Sequence, residues 1–308
     1  MGAERHDTLP GWGPATSGQM PVPGVPRADA ERLARRGYRL LDRLGAGGMG
    51  EVWRARHLGL DRLVAIKRMR GDHPESSDRL VREARALARI RHPSIVQVFD
   101  VLVDDGEAPY LVMELLHGAD LARVIALDRA LPEIRAVRLM LGVLSGLDAA
   151  HRHGIVHGDV KPDNILLAAD DTGVERAVLL DFGLAHAVEP DRGQTSSLAG
   201  TPDFMSPEQV VGQVVGPASD QWSACVTLYS LVTGRAPFAR TSLPALFDAI
   251  RGAPLSYPRD AEMDPRLFAI LARGTRKAPA ERHADLGELC DALSTWLRSR
   301  SVKPEPRP

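Results

Sequence analysis

The stretch that decides the reading is His157-Gly158-Asp159-Val160-Lys161-Pro162-Asp163-Asn164, with Asp181-Phe182-Gly183 beginning 17 residues after Asn164. Two Asp, one Asn and one Lys within reach of each other suit phosphoryl transfer, where a protein has to position a hydroxyl, hold Mg2+ and neutralise spreading negative charge. Each of these residues alone is an ordinary polar loop residue, but the ordered set is not. His151, His153 and His157 lie close in sequence, yet no acidic or Cys ligand stands at metal-site spacing from them, so zinc is not expected.

Working outward, Leu44-Gly45-Ala46-Gly47-Gly48-Met49-Gly50-Glu51-Val52 places a G-x-G-x-x-G-x-V between two strand-like segments. Backbone amides can approach phosphates there because no side chain intervenes. A dinucleotide-binding loop would open a helix at its third glycine; here a strand follows, which disfavours that reading. The next strand carries Val64-Ala65-Ile66-Lys67, and a period of two puts Ala65 and Lys67 on one face. The small residue makes room for a flat base while the ammonium reaches phosphate oxygens. Glu83 lies in a helical pattern between Leu80 and Leu87 and points with its apolar face, so it needs a cationic partner, for which Lys67 is the candidate.

Strand patterns cover Tyr38 to Gly45, Glu51 to His57, Leu60 to Met69, Ile95 to Val103 and Tyr110 to Leu115, with one helix over Pro74 to Arg91. After Gly118 the chain turns mainly helical: Glu133 to His153 opens after Pro132 and stops at Gly154, and further helices follow at Ser219 to Thr233, Ser242 to Arg251, Asp264 to Arg273 and Ala284 to Arg298. Short β segments are expected around Ile155 to Val160, Ile165 to Ala168 and Ala177 to Leu180. The outcome is a β lobe joined to an α lobe, with chemistry expected at the junction.

Composition sets the bounds. The 308 residues are 44% hydrophobic and 26% charged, the balance of a globular protein, and a net charge of -1 offers no basic field for nucleic acid. Two cysteines, Cys225 and Cys290, are too few for a disulfide framework and fit a reducing cytoplasm. No apolar stretch is long enough to span a bilayer. Of 39 basic residues only Lys67, Lys161, Lys277 and Lys303 are lysines, so a surviving Lys marks a place where a compact ammonium does something a guanidinium cannot.

In this order the motifs resemble the eukaryotic-like (Hanks-type) bacterial Ser/Thr protein kinases, over about Tyr38 to Arg298. The resemblance implies an α+β, bilobal protein-kinase-like fold with a β-rich N-lobe (38–115) and a mainly helical C-lobe (116–298), between a flexible tail (1–37) and a short C-terminal tail (299–308). It implies transfer of the ATP γ-phosphoryl group to protein Ser/Thr hydroxyls, its own included, with Mg2+ or Mn2+. Gly45, Gly47 and Gly50 would cover the phosphates under Leu44, Lys67 would bind the α and β phosphates, and Glu83 would pair with Lys67. Val52, Ala65 and Leu166 would sandwich the base, with Met113 as gatekeeper, Glu114 and Leu116 offering backbone bonds to adenine, and Asp120 binding ribose. Asp159 would take the substrate proton, Lys161 would sit by the γ-phosphate, and Asn164 and Asp181 would hold the metal. Lys161 and Thr201, ahead of Ser206-Pro207-Glu208, suggest Ser/Thr specificity; Glu208 would pair with Arg282, and Leu87, His157 and Phe182 would stack as a spine.

One departure matters. The usual His-Arg-Asp reads His157-Gly158-Asp159, so a phosphate on Thr195, Ser196 or Ser197 lacks its main Arg partner. Basal activity is therefore expected to depend little on phosphorylation of that loop. The same wording resembles small-molecule phosphotransferases of the aminoglycoside and choline kinase kind, but these lack the Lys161-Pro162 pair and the segment from Gly200-Thr201 to Glu208. A third reading is a scaffold that binds nucleotide without catalysis, disfavoured because every residue needed for transfer is present. Protein substrates and a cytoplasmic location follow from the resemblance, which leaves open whether N-lobes pair into a homodimer as in some relatives.

Overall fold

Along the strand Arg62–Met69, side chains alternate between two cores: Val64 and Ile66 enter one cluster with Trp53, Tyr110 and Val112, whereas Ala65 and Met69 enter another with Leu111, Met113 and Leu87. A period of two on a sheet covered on both faces produces this split. The computed structural model that shows it describes residues 26–47, 50–69, 74–104, 108–169, 173–182, 202–258 and 263–301.

The N-lobe sheet contains β1 (Tyr38–Gly47), β2 (Gly50–His57), β3 (Arg62–Met69), β4 (Val98–Leu102) and β5 (Tyr110–Glu114) in the order β1-β2-β3-β5-β4. Its neighbours are antiparallel throughout, as hairpin connections require. One helix, α1 (Arg27–Arg35), closes the face that carries Trp53, and α2 (Pro74–Leu87) packs on the other side through Val81, Ala84 and Leu87. Within the tail of 1–37, where the sequence reading allows only a short helical turn over Ala28 to Arg36, residues 27–35 form a nine-residue helix, and Leu33 is fully buried in the N-lobe core.

A second sheet of three strands, β6 (Gly118–Asp120), β7 (Ile165–Ala169) and β8 (Glu175–Leu179), lies where the chain crosses into the C-lobe. The C-lobe helices are α3 (Leu121–Asp128), α4 (Glu133–His151), α5 (Pro207–Val210), α6 (Pro217–Thr233), α7 (Leu243–Gly252), α8 (Pro265–Gly274) and α9 (Leu286–Ser301). Residues Ser219 to Val232 of α6 are all buried, so it is the hydrophobic axis on which the lobe is built. Proline in the first turn of α6, α7 and α8 and left-handed Gly234 after α6 mark ends that the sequence signals. No helix among the described residues is long and apolar enough to cross a membrane.

Candidate active site

Asp159 stands at the centre. Its Oδ2 accepts from Lys161 Nζ at 2.7 Å and from Asn164 Nδ2 at 2.8 Å, and the same amide donates to the Asp159 carbonyl at 2.8 Å. A 3-10 turn, Pro162–Asn164, brings Asn164 back onto Asp159. With one carboxylate oxygen held by two donors, Asp159 has a fixed rotamer, and Oδ2 is the oxygen that both donors share.

The loop in front of Asp159 is not the short β segment that the sequence suggests over Ile155 to Val160. The reason is a buried carboxylate: Asp220, fully enclosed in the first turn of α6, accepts from His157 N at 2.9 Å and Gly158 N at 2.7 Å, and contacts His151 Nε2 at 2.7 Å. Amides spent on a side chain are withdrawn from any strand ladder. Gly158 turns the chain with φ +72°, in the left-handed region, and its carbonyl accepts from Gln209 Nε2 at 2.7 Å. His157 Nδ1 accepts from Asp159 N at 3.2 Å, so Nε2 carries the proton given to Leu180 O at 2.9 Å, and the ring packs 4.6 Å from Phe182. Asp220, Gln209 and His151 are supports that the sequence reading misses. An acid in the first turn of a helix is equally explained by the helix dipole, so Asp220 gives no distinct signal.

The second part of the site is delivered by sheet register. Val52 pairs with Lys67 and Ala65 with Met113, so the four share one face, and Asp120 pairs with Leu166 on the smaller sheet. Ala65 and Met113 belong to one apolar cluster, against which Val52, Leu116 and Leu166 pack partly buried. Gly45, Gly47 and Gly50 lie at the β1–β2 turn, where Gly47 pairs with Gly50 and Leu44 is half exposed. A Cβ at Gly50, where φ is +129°, would stand 2.2 Å from the Arg68 carbonyl oxygen, so the third glycine is demanded by the hairpin itself. Asp120 caps α3, accepting from Arg123 N at 2.7 Å.

Lys67 meets the carboxylate of Asp181, where the sequence reading expects Glu83. The Lys67 side chain, 3% exposed, lies with Nζ 2.6 Å from Asp181 Oδ1, a contact of charges rather than a well-directed hydrogen bond. Asp181 has φ +57°, which Asp tolerates better than most residues. The Asn164 carbonyl accepts from Leu180 N at 2.9 Å, holding Asn164 beside the segment that leads into Asp181. Thr201, Thr195, Ser196 and Ser197 lie outside the described residues.

Asn164 spends its amide nitrogen on Asp159, which leaves its amide oxygen as the acceptor for a metal, while Asp181 adds a carboxylate. Two hard oxygen donors from protein, completed by phosphate and water, fit Mg2+. No cluster of three His, Cys, Asp or Glu that could hold a metal occurs among the described residues.

Beneath the site, Glu208 and Arg282 form a two-pronged pair with both contacts at 2.8 Å, and Ser219 Oγ donates to Glu208 at 2.8 Å. Arg282 also donates to the carbonyls of Arg276, Ala218 and Lys277, so each of its five N–H groups has an acceptor. Burial pushes the Glu208 carboxyl up, but the hydrogen bonds from Arg282, its own backbone and Ser219 outweigh it and the net direction is down.

Comparison with known proteins agrees with this geometry. Residues 38–290 match the family model described as the protein kinase domain. The chain is 38% identical over 269 residues to the serine/threonine-protein kinase Pkn2 of Myxococcus xanthus, covering 83% of this chain and 32% of that protein. It is 35% identical over 264 residues to the serine/threonine-protein kinase PknB of Mycolicibacterium smegmatis, covering 82% of this chain and 41% of that protein. The chain thus spans about a third to two fifths of the length of these relatives.

Proposed function

Because the chain belongs to the protein kinase family, we propose that it transfers the γ-phosphoryl group of ATP to Ser or Thr hydroxyls of proteins, itself included, in the cytoplasm. The observation that carries this is the Asp159 cluster, a carboxylate held by Lys161 and Asn164. Asp159 Oδ1 takes the proton as the substrate oxygen forms its bond to the γ-phosphorus and the bond to the β–γ bridging oxygen breaks. Lys161, already at the carboxylate, lies where it can neutralise charge on the transferred group. Bound Mg2+, on Asn164 and Asp181, would supply charge neutralisation at the phosphates. Lys67 meets the α and β phosphates, with the carboxylates of Asp181 and Glu83 positioning its ammonium.

The small-molecule reading is less well supported, since the relatives described above are Ser/Thr protein kinases. The experiment is direct: supply ATP and Mg2+ with a generic Ser/Thr-containing protein, with an aminoglycoside and with choline, and identify the acceptor. Phosphoserine or phosphothreonine is expected. Label only on the small molecules would overturn the proposal.

A further inference from the structure

Arg176, on β8, reaches from the C-lobe sheet into the N-lobe at two points. Its Nη1 donates to the Pro93 carbonyl at 2.7 Å and its Nη2 lies 3.3 Å from Glu114 Oε2. The other oxygen of Glu114 accepts from Gln97 N at 2.8 Å, and Glu114 N donates to Gln97 O at 2.9 Å. Further along β8, Leu179 accepts from Val96 N at 3.0 Å and donates to Ser94 O at 2.9 Å. The segment between α2 and β4 is thereby fastened to a C-lobe strand, and the Glu114 carboxylate is held from both lobes.

Glu114 ends β5 at the crossover where the adenine edge is proposed to bind, and Arg176 stands five residues before Asp181 on the strand that leads to it. One guanidinium thus sets the spacing between the base contact and the metal-holding carboxylate. We infer that Arg176 is a positioning residue for the nucleotide site, acting through the Glu114 side chain. The inference rests on the kinase reading for its consequence, but not for its geometry. At 32% and 22% exposure the two side chains form a pair too open to carry much stability, so its purpose is orientation. Guanidinium suits it because two acceptors in different directions are served at once, which a single ammonium does less well.

Two readouts test this on the whole chain. Arg176→Ala is expected to raise KM for ATP about three- to tenfold while kcat and KM for the protein substrate stay within about twofold, with an unchanged thermal midpoint. Arg176→Lys should recover part of the loss, and Arg176→Ala should add little in a Glu114→Gln background. An unchanged KM for ATP, a parallel rise in both KM values with a lowered midpoint, or full additivity would overturn the inference. Amide hydrogen exchange is independent of activity: faster exchange at Val96, Gln97 and Glu114 in Arg176→Ala supports the clamp, and unchanged protection contradicts it. If the wild type transfers no phosphate, the kinase reading fails, while exchange still decides the clamp.

Discussion

With its side chain 3% exposed, the Lys67 ammonium sits against Asp181 in a space cut for a point charge. Lys67→Arg keeps the charge but brings a planar fork, so it is expected to lose most kinase activity with little loss of fold, as steady-state rates and circular dichroism will show. Lys277 extends the same logic to a place where the sequence offers no role. Its Nζ donates to the Ile250 carbonyl at 2.7 Å, near the end of α7, and lies 4.4 Å and 4.7 Å from the ring centres of Phe238 and Trp222. Burial, then the Arg282 charge, holds this amine down at about 8. Lys277→Met removes a charged donor from an orphan helix carbonyl and should cost about 1–3 kcal/mol in denaturant unfolding. Lys303 lies outside the described residues. At Gly158, where φ is +72°, any side chain would be strained, so the missing Arg and the relaxed turn are one feature. Gly158→Ala is expected to lower stability by about 1–2 kcal/mol.

Among the elements, α1 was the least legible in the sequence, because much of its anchoring is polar and long-range. Asp29 accepts from Tyr110 OH and lies 3.5 Å from an Arg68 nitrogen, while Arg32 donates to Asp104 and to the Ala108 carbonyl and stacks over the Tyr110 ring. Three of its four apolar residues are alanines, so little large apolar surface marks the side on which Asp29, Arg32 and Leu33 are buried. Leu33 is the exception, and Leu33→Ala should cost about 2–5 kcal/mol, readable as a fall in the unfolding midpoint. By contrast, β3 and α4 were legible because a two-residue alternation and a proline-to-glycine span leave few alternatives. The pair between α5 and the loop before α9 was legible only through the family pattern. Glu208→Gln leaves Arg282 buried and unmatched, at a cost of about 3–5 kcal/mol. Since folding lowers the Glu208 carboxyl, its contribution is present above the ordinary carboxylate value and is lost as pH falls through the lowered one. The acid limb of wild-type unfolding should therefore be shallower in Glu208→Gln.

For the whole molecule, the two lobes meet at a site whose parts come from distant segments: the glycine turn and Lys67 from one sheet, Asp159 and Asn164 from a C-lobe loop, and Asp181 beyond β8. Their order along the chain was readable, whereas their mutual pairing was not, because the sequence offers Lys67 two carboxylates, Glu83 and Asp181, and cannot rank them. With Gly at position 158 in place of the expected Arg, Ala at Thr195, Ser196 and Ser197 together should reduce the kinase rate by less than about a hundredfold. The most direct measurement is incorporation of labelled phosphate from Mg-ATP by the wild type and by Asp159→Asn, with the sites mapped by mass. The expected result is label on Ser or Thr in the wild type and background in the variant; undiminished label in Asp159→Asn would contradict the account.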